Sequence, residues 1–89
     1  MGAPKVVMYG ADWCGYCARA RRLLDKKGVV YEEIDTDLVP GARAEARTRS
    51  GRSTIPQIFI GERHIGGADE LAALEAAGHL DPLLKTTET

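Results

Sequence analysis

The two cysteines are the residues of this chain best suited to chemistry, and two residues separate them. Cys14 and Cys17 stand where an apolar run ends and a helical pattern begins. Unpaired N–H groups and the dipole at a helix start stabilise a thiolate, so this position favours Cys14 as a nucleophile. Cys17, one turn further in, is better placed to attack a mixed disulfide formed at Cys14. The pair therefore indicates thiol–disulfide exchange through a redox-active Cys14–Cys17 disulfide.

A metal-binding interpretation of the same pair is weaker. A structural zinc site needs four ligands, and the remaining candidates, His64 and His79, lack helical metal spacing. Two cysteines are also too few for a secreted scaffold held by disulfides. No secretory signal is visible, so we expect a reducing compartment, the cytoplasm.

Length and composition limit the class of protein. The chain has 89 residues, 44% of them hydrophobic and 28% charged, with a net charge of −1. These values predict a single globular domain over residues 1–89, with residues 85–89 as a frayed tail. The apolar stretches are too short to span a membrane, and the charge gives no case for nucleic-acid or membrane binding. Arg19, Arg21 and Arg22 are expected to form a solvated face.

The hydrophobic pattern predicts the elements that must position the cysteines. Strands are expected at 6–9, 29–34, 58–60 and 63–65, helices at 16–27, 40–50 and 68–77, and only a short turn around Pro82. Val30 is expected to be a buried start of the second strand. The order β-α-β-α-β-β-α predicts a parallel first pair, an antiparallel last pair, and helices on both faces of a four-stranded mixed sheet. This is the thioredoxin-like α/β architecture, with three main helices.

Four segments together make the sequence resemble the glutaredoxins, in their small bacterial dithiol form. They are 13–17 (Trp-Cys-Gly-Tyr-Cys), 53–60 (Ser-Thr-Ile-Pro-Gln-Ile-Phe-Ile), 64–71 (His-Ile-Gly-Gly-Ala-Asp-Glu-Leu) and 80–84 (Leu-Asp-Pro-Leu-Leu). The resemblance covers nearly the whole chain. It implies a glutathione-dependent oxidoreductase whose partners are glutathione and glutathionylated or disulfide-bonded proteins.

The resemblance also implies where glutathione binds. A cis peptide bond between Ile55 and Pro56 would face the cysteines and leave the Ile55 backbone free to pair with an extended peptide. The N–H groups of Ala68 and Asp69 would hold the γ-glutamyl carboxylate, and the Asp69 side chain would pair with the ammonium. The alternative for Asp69 is a helix cap alone. The other residues expected at this site are Tyr16, Arg52, Thr54, Gln57 and Gly67.

Several of these residues have a second interpretation. Tyr16 is either a wall of the glutathione groove or packing beside the disulfide. Arg52 and Gln57 either reach the glycine carboxylate or are ordinary solvated side chains. Trp13 is either a contact surface for partner proteins or a lid over the disulfide.

A second functional hypothesis is an iron–sulfur carrier. Some proteins of the resembled family hold a [2Fe–2S] cluster between two subunits through the first cysteine, here Cys14, and bound glutathione. Gly15 replaces a common proline, and a flexible turn there favours this alternative. The enzyme hypothesis predicts a metal-free monomer, and the carrier hypothesis predicts a cluster-bridged dimer. A redoxin that uses mycothiol shares the Trp-Cys-Gly-Tyr-Cys run, but the intact glutathione-site features disfavour it.

Overall fold

The backbone forms one four-stranded sheet flanked by helices, in a computed structural model that describes residues 4–85. The strands are β1 (Val6–Gly10), β2 (Tyr31–Asp35), β3 (Gln57–Ile60) and β4 (Arg63–Gly66), and the helices are α1 (Gly15–Lys26), α2 (Ala42–Ser50), α3 (Ala68–Ala76) and α4 (Leu80–Lys85). The sheet order is β2-β1-β3-β4. β1 is parallel to β2 and antiparallel to β3, and β3 and β4 form an antiparallel hairpin. The predicted thioredoxin-like architecture is confirmed.

Helices cover both faces of the sheet, because its central strands are apolar on both sides. Every residue of β1 is buried, as a continuous apolar run predicts for a central strand. One face packs on α1, α3 and α4, in the larger core cluster that contains Leu24 and Leu71. Tyr9 and Phe59 lie on the other face, against Ala46 of α2. Burying each large apolar side chain contributes about 1.5–3 kcal/mol, so the two clusters fix the sheet between its helices.

Three expectations about the elements need correction. Val30 is 93% exposed, and β2 begins only at Tyr31. The segment around Pro82 is the six-residue helix α4 rather than a turn. Pro82 is tolerated there because a residue in the first helical turn needs no N–H donor. Lys85 ends that helix, and the rest of the expected frayed tail lies outside the described residues.

Strand pairing brings three distant segments to one end of the sheet. Tyr9 near the end of β1 pairs with Gln57 at the start of β3, and Ile58 pairs with Gly66 at the end of β4. The segment before α1, the segment before β3 and the start of α3 therefore meet at this end. These are the segments that carry the cysteines, the proline and the glycine pair.

Candidate active site

Cys14 occupies the N-cap position of α1. Its backbone is extended (φ −86°, ψ 119°), so its side chain folds back over the first helical turn. The Cys17 N–H donates to Cys14 Sγ at 3.4 Å, and the Cys14 thiol donates to the Ile55 carbonyl oxygen at 3.9 Å. Negative charge on Cys14 Sγ would thus meet a helix N-terminus and one of its N–H groups, which is the environment of a reactive thiolate.

Cys17 lies deeper than Cys14 and has no exposed surface. The pKa of the Cys17 thiol is raised to about 12, mainly by burial and then by the hydrogen bond with Cys14, and the opposing effects of the Ala11 backbone and the Arg21 charge are smaller. A buried thiol of this kind is protonated and inert toward external disulfides. Both thiols are free in this structure. The arrangement supports Cys14 as the attacking group and Cys17 as the second.

Three residues near Cys17 were not predicted to belong to the site: Gly10, Arg21 and Glu33. Arg21 donates to both oxygens of the Glu33 carboxylate, at 2.7 and 2.6 Å, and to the Ala11 carbonyl oxygen at 3.1 Å. Arg21 is therefore not part of a solvated face. A Cβ at position 10 would lie 2.9 Å from Cys17 Sγ, so β1 needs glycine where it passes the thiol. The four-residue spacing of Cys17 and Arg21 is a sequence signal, but Glu33 reaches them only through the β1–β2 pairing.

A groove of about 260 Å³ adjoins Cys14 through Ile55. Its lining consists of Tyr16, Arg52, Thr54, Ile55, Pro56, Gly67, Ala68, Asp69 and Glu70. Every residue predicted for the glutathione site is present except Gln57, and Glu70 is an addition. Tyr16 is exposed and forms a wall of this groove.

The loop before β3 forms one side of the groove. The Ile55–Pro56 peptide bond is cis, as the resemblance implied. Gln57 follows Pro56 in the chain and is fully buried, so the alternative of an ordinary solvated side chain is wrong, and Gln57 is not among the residues that line the groove. Its amide nitrogen donates to Thr54 O at 2.9 Å and Thr54 Oγ1 at 3.1 Å, and its Oε1 lies 2.7 Å from His64 Nε2. Gln57 thus fixes the Thr54 end of the loop from behind.

The start of α3 forms the opposite side. Gly67 is the N-cap, and its N–H donates to Glu70 Oε1 at 2.7 Å. This bond is the main reason that the pKa of Glu70 lies below its ordinary value. The N–H groups of Ala68 and Asp69 have no acceptor within the helix, and both residues line the groove. The helix start therefore presents an anion-binding surface to the groove.

Asp69 is not the cap of α3, so the interpretation of Asp69 as a cap alone is wrong. Its side chain is 77% exposed and pairs with Arg19 at 3.5 Å. The Arg19 guanidinium also lies 5.7 Å from the centroid of the Tyr16 ring. Arg52 pairs with Glu70 at 3.2 Å. An anionic peptide that enters this groove would meet two guanidinium groups, each already held by an exposed carboxylate.

Trp13 lies beside the cysteines and is 69% exposed. Its indole N–H donates to Asp37 Oδ2 at 2.6 Å, which ties the ring to the loop after β2. This placement supports a contact surface rather than a lid.

Within residues 4–85, no group of three or more His, Cys, Asp and Glu side chains could hold a metal ion. No helix in that range is long and apolar enough to cross a membrane.

A dithiol at a helix start, facing a proline loop on this sheet, defines the class of thiol–disulfide oxidoreductases with a thioredoxin-like fold. Comparison with known proteins narrows the class. The family model described as Glutaredoxin matches residues 6–65. The chain is 54% identical over 81 residues to a glutaredoxin from Pseudomonas aeruginosa, covering 91% of this chain and 96% of that protein. The chain therefore belongs to the glutaredoxin family and is a thiol–disulfide oxidoreductase.

Solved structures agree with this assignment. The solution structure of glutaredoxin from Brucella melitensis superposes with a TM-score of 0.85 at 50% identity, covering 100% of this chain and 97% of that chain. The crystal structure of a buckwheat glutaredoxin–glutathione complex gives a TM-score of 0.84 at 33% identity, covering 91% of this chain and 76% of that one.

Proposed function

We propose that this protein uses glutathione to reduce protein–glutathione mixed disulfides and protein disulfides through Cys14 and Cys17. The observation that carries the proposal is the groove beside Cys14, in which the cis-proline loop and the start of α3 face each other. The similar buckwheat protein is described in complex with glutathione, which supports the same ligand here.

Glutathione fits the polarity of the groove from end to end. Its γ-glutamyl carboxylate would accept from the Ala68 and Asp69 N–H groups, because a helix N-terminus favours an anion. Its ammonium would pair with the Asp69 carboxylate, in exchange for Arg19. The Ile55 backbone would bond the central peptide, which places the glutathione sulfur next to Cys14. Arg52, which also lines the groove, would take the glycine carboxylate.

The proposed reaction begins with the Cys14 thiolate. Cys14 Sγ attacks the glutathione sulfur of the mixed disulfide, and the bond to the protein sulfur breaks, so that the protein leaves as a thiolate and takes up a proton. Glutathione then remains on Cys14 in the groove. The thiolate of a second glutathione attacks the sulfur of the bound glutathione. The bond to Cys14 breaks, which releases oxidised glutathione and returns Cys14 as a thiolate. The enzyme aligns three sulfurs and stabilises the thiolate that leaves.

A disulfide within a protein substrate requires Cys17 as well. The Cys14 thiolate attacks one substrate sulfur, so that the substrate disulfide breaks and its other sulfur leaves as a thiolate that takes up a proton. Cys17 then attacks Cys14 Sγ, the bond from Cys14 to the substrate sulfur breaks, and the substrate is released as a dithiol. The enzyme is left with the Cys14–Cys17 disulfide, which glutathione reduces. This chemistry needs a pool of reduced glutathione, so we place the protein in the cytoplasm.

The division of roles predicts different losses in two variants. Cys14→Ser should abolish both reactions, since no nucleophile remains at the helix start. Cys17→Ser should keep removal of glutathione from a glutathionylated protein and lose reduction of a disulfide within a protein. The measurement couples each reaction to glutathione reductase and NADPH. Equal loss in both variants on the glutathionylated substrate would disprove the assigned roles, and an inactive wild-type protein would disprove the glutathione dependence.

A further inference from the structure

Cys17 has a charged neighbour that the proposed reaction does not yet use. Arg21 follows Cys17 by four residues in α1, and side chains at this spacing are neighbours on one helix face. A Cβ built on Gly10 would lie 2.9 Å from Cys17 Sγ and 3.4 Å from Glu33 Oε2. The buried thiol and the Arg21–Glu33 ion pair therefore meet at the same point of β1.

The position of the Arg21 guanidinium is fixed by three hydrogen bonds. Two go to the Glu33 carboxylate, at 2.7 and 2.6 Å, and one goes to the Ala11 carbonyl oxygen at 3.1 Å. The two side chains keep only about a quarter of their surface exposed, 26% for Arg21 and 23% for Glu33. A bidentate pair of this kind holds the guanidinium in one orientation.

The reaction requires negative charge on Cys17 at a place that disfavours it. Burial raises the pKa of the Cys17 thiol, and the hydrogen bond with Cys14 raises it further, whereas the Ala11 backbone and the positive charge of Arg21 lower it. The interaction is mutual, since Cys17 contributes to the increase in the pKa of Arg21. The main cause of that increase is the hydrogen bond with Glu33.

We propose that Arg21, held in place by Glu33, is a positioning residue that stabilises the developing thiolate of Cys17 when this thiol attacks the mixed disulfide at Cys14. The inference rests on the proposed function and concerns only the step in which Cys17 attacks Cys14 Sγ. That step is written here for the mixed disulfide with glutathione, which Cys17 attacks in the same way as a mixed disulfide with a substrate protein. Cys17 gives its proton to water, and its sulfur bonds to Cys14 Sγ. The bond from Cys14 to the glutathione sulfur breaks, and glutathione leaves as a thiolate that takes up a proton. The two protein sulfurs are thereby oxidised to a disulfide and glutathione is reduced.

Among the described residues, the side chains that mainly act on the pKa of Cys17 are Cys14 at the helix start, which raises it, and Arg21 on the same helix, which lowers it. Glu33 on β2 holds Arg21 through two hydrogen bonds. Ala11 and Ile55 complete the cluster with apolar side chains. Arg21 is thus the positive group that can offset the burial of the thiolate, and Glu33 sets its position.

The test measures the attack of Cys17 on the Cys14–glutathione mixed disulfide separately from the formation of that mixed disulfide, which is the first step of the assay. Reduced enzyme is mixed with oxidised glutathione, the reaction is quenched with acid at set times, and the mixed-disulfide and Cys14–Cys17 forms are counted by mass spectrometry from pH 6 to 10. In Arg21→Met we expect conversion of the first form to the second to slow about tenfold at neutral pH. The pH profile of that step should move upward by about one unit, the equivalent of the tenfold change. Arg21→Lys should recover much of the rate.

Controls separate the charge from a role in folding. Arg22→Met removes an exposed charge one residue away and should leave both steps unchanged. Formation of the mixed disulfide in a Cys17→Ser background should not respond to Arg21→Met. If Arg21→Met fails to fold because Glu33 is left unpaired, the double variant Arg21→Met/Glu33→Leu removes both charges and takes its place. A folded variant with an unchanged pH profile for the second step overturns the inference, whereas a wild-type protein that never forms the mixed disulfide overturns the proposed function instead.

Discussion

Cys14 and Cys17 are three residues apart and both are buried, but their surroundings differ. Cys14 Sγ accepts a helix N–H and touches the loop that lines the groove, whereas Cys17 is enclosed. A helix start favours a thiolate, and burial opposes one. The order of attack that we propose therefore follows from where α1 begins, and not from any difference between the two side chains.

Asp69 provides a residue-scale prediction about ligand recognition. Asp69→Asn should raise the KM for glutathione about tenfold, because a charge-assisted contact to the γ-glutamyl ammonium is lost. The free energy of unfolding should change by less than about 0.5 kcal/mol, since the side chain is exposed and surface changes of this kind are small. Steady-state kinetics and urea denaturation measure the two quantities, with Glu62→Gln as the control for lost surface charge. An unchanged KM for glutathione would contradict the role of Asp69.

Gly10 provides a second prediction at this scale. A methyl group there would approach Cys17 Sγ to 2.9 Å, so Gly10→Ala should lower the free energy of unfolding by about 1–3 kcal/mol, as overpacking does. In a Cys17→Ala background most of this loss should disappear, because the clashing atom is absent. Chemical denaturation of the four proteins in this cycle measures the coupling. Equal losses of stability in the two backgrounds would mean that position 10 does not need glycine to make room for Cys17 Sγ.

At the scale of the elements, the first turn of α3 has a structural role and, in the proposed function, a binding role as well. Glu70 satisfies the Gly67 N–H and pairs with Arg52. Gly67 has no side chain to return a bond, so this start is half of a capping box. The N–H groups of Ala68 and Asp69 are thereby left to the groove. The Glu70 carboxylate and a ligand in the groove would therefore use different N–H groups of the same helix turn.

This division predicts how stability depends on pH. The pKa of Glu70 is lowered in the folded state, chiefly by the Gly67 N–H, so its contribution is present above the ordinary glutamate pKa of about 4.3 and is lost as pH falls below it. Glu70→Ala should cost about 1 kcal/mol at neutral pH. Glu70→Gln should restore part of the bond without the pH dependence. Urea denaturation from pH 3 to 7 measures this, and a wild-type curve parallel to that of Glu70→Gln would refute it.

The sequence pattern was sufficient for the order of the four strands and the three main helices, and the family resemblance supplied most of the groove. The cysteines, the proline and the glycine pair stand beside element boundaries, where apolar runs begin or end. Gln57 was misjudged because a polar side chain beside a loop looks solvated, and only the hairpin shows His64 behind it. Val30 was misjudged because an apolar run does not reveal which of its residues faces the core, and here Val29 and Tyr31 pack against it while Val30 is exposed. The Arg21–Glu33 pair depends on helix placement over a strand 12 residues away in sequence, which no local pattern encodes.

At the scale of the whole molecule, the sheet makes one end of the protein reactive. Antiparallel pairing of β1 with β3 and of β3 with β4 places the end of β1, the start of β3 and the end of β4 together. Each stands next to one part of the proposed site: the dithiol, the proline loop that lines the groove and the helix start that lines it too. The helices on the two faces stabilise the sheet and leave this end open.

The assembly state distinguishes the enzyme from the cluster carrier. After anaerobic reconstitution with iron, sulfide and glutathione, we expect a colourless monomer that still reduces glutathionylated protein, measured by visible absorbance, light scattering and the coupled assay. Gly15→Pro is the matched variant. Gly15 is the first residue of α1, where proline is favoured, and a Cβ there would contact nothing within 4 Å.

The hydrogen bond to Cys14 Sγ comes from the Cys17 N–H, so proline at position 15 leaves that bond in place. Gly15→Pro should therefore keep the oxidoreductase activity within about twofold. It should also gain roughly 0.4–1 kcal/mol of stability from the stiffer unfolded chain. If the wild-type protein instead becomes a brown dimer and Gly15→Pro stays colourless, Gly15 is required for a cluster-bridged dimer. The protein would then bind a cluster in addition to acting as a metal-free monomeric enzyme.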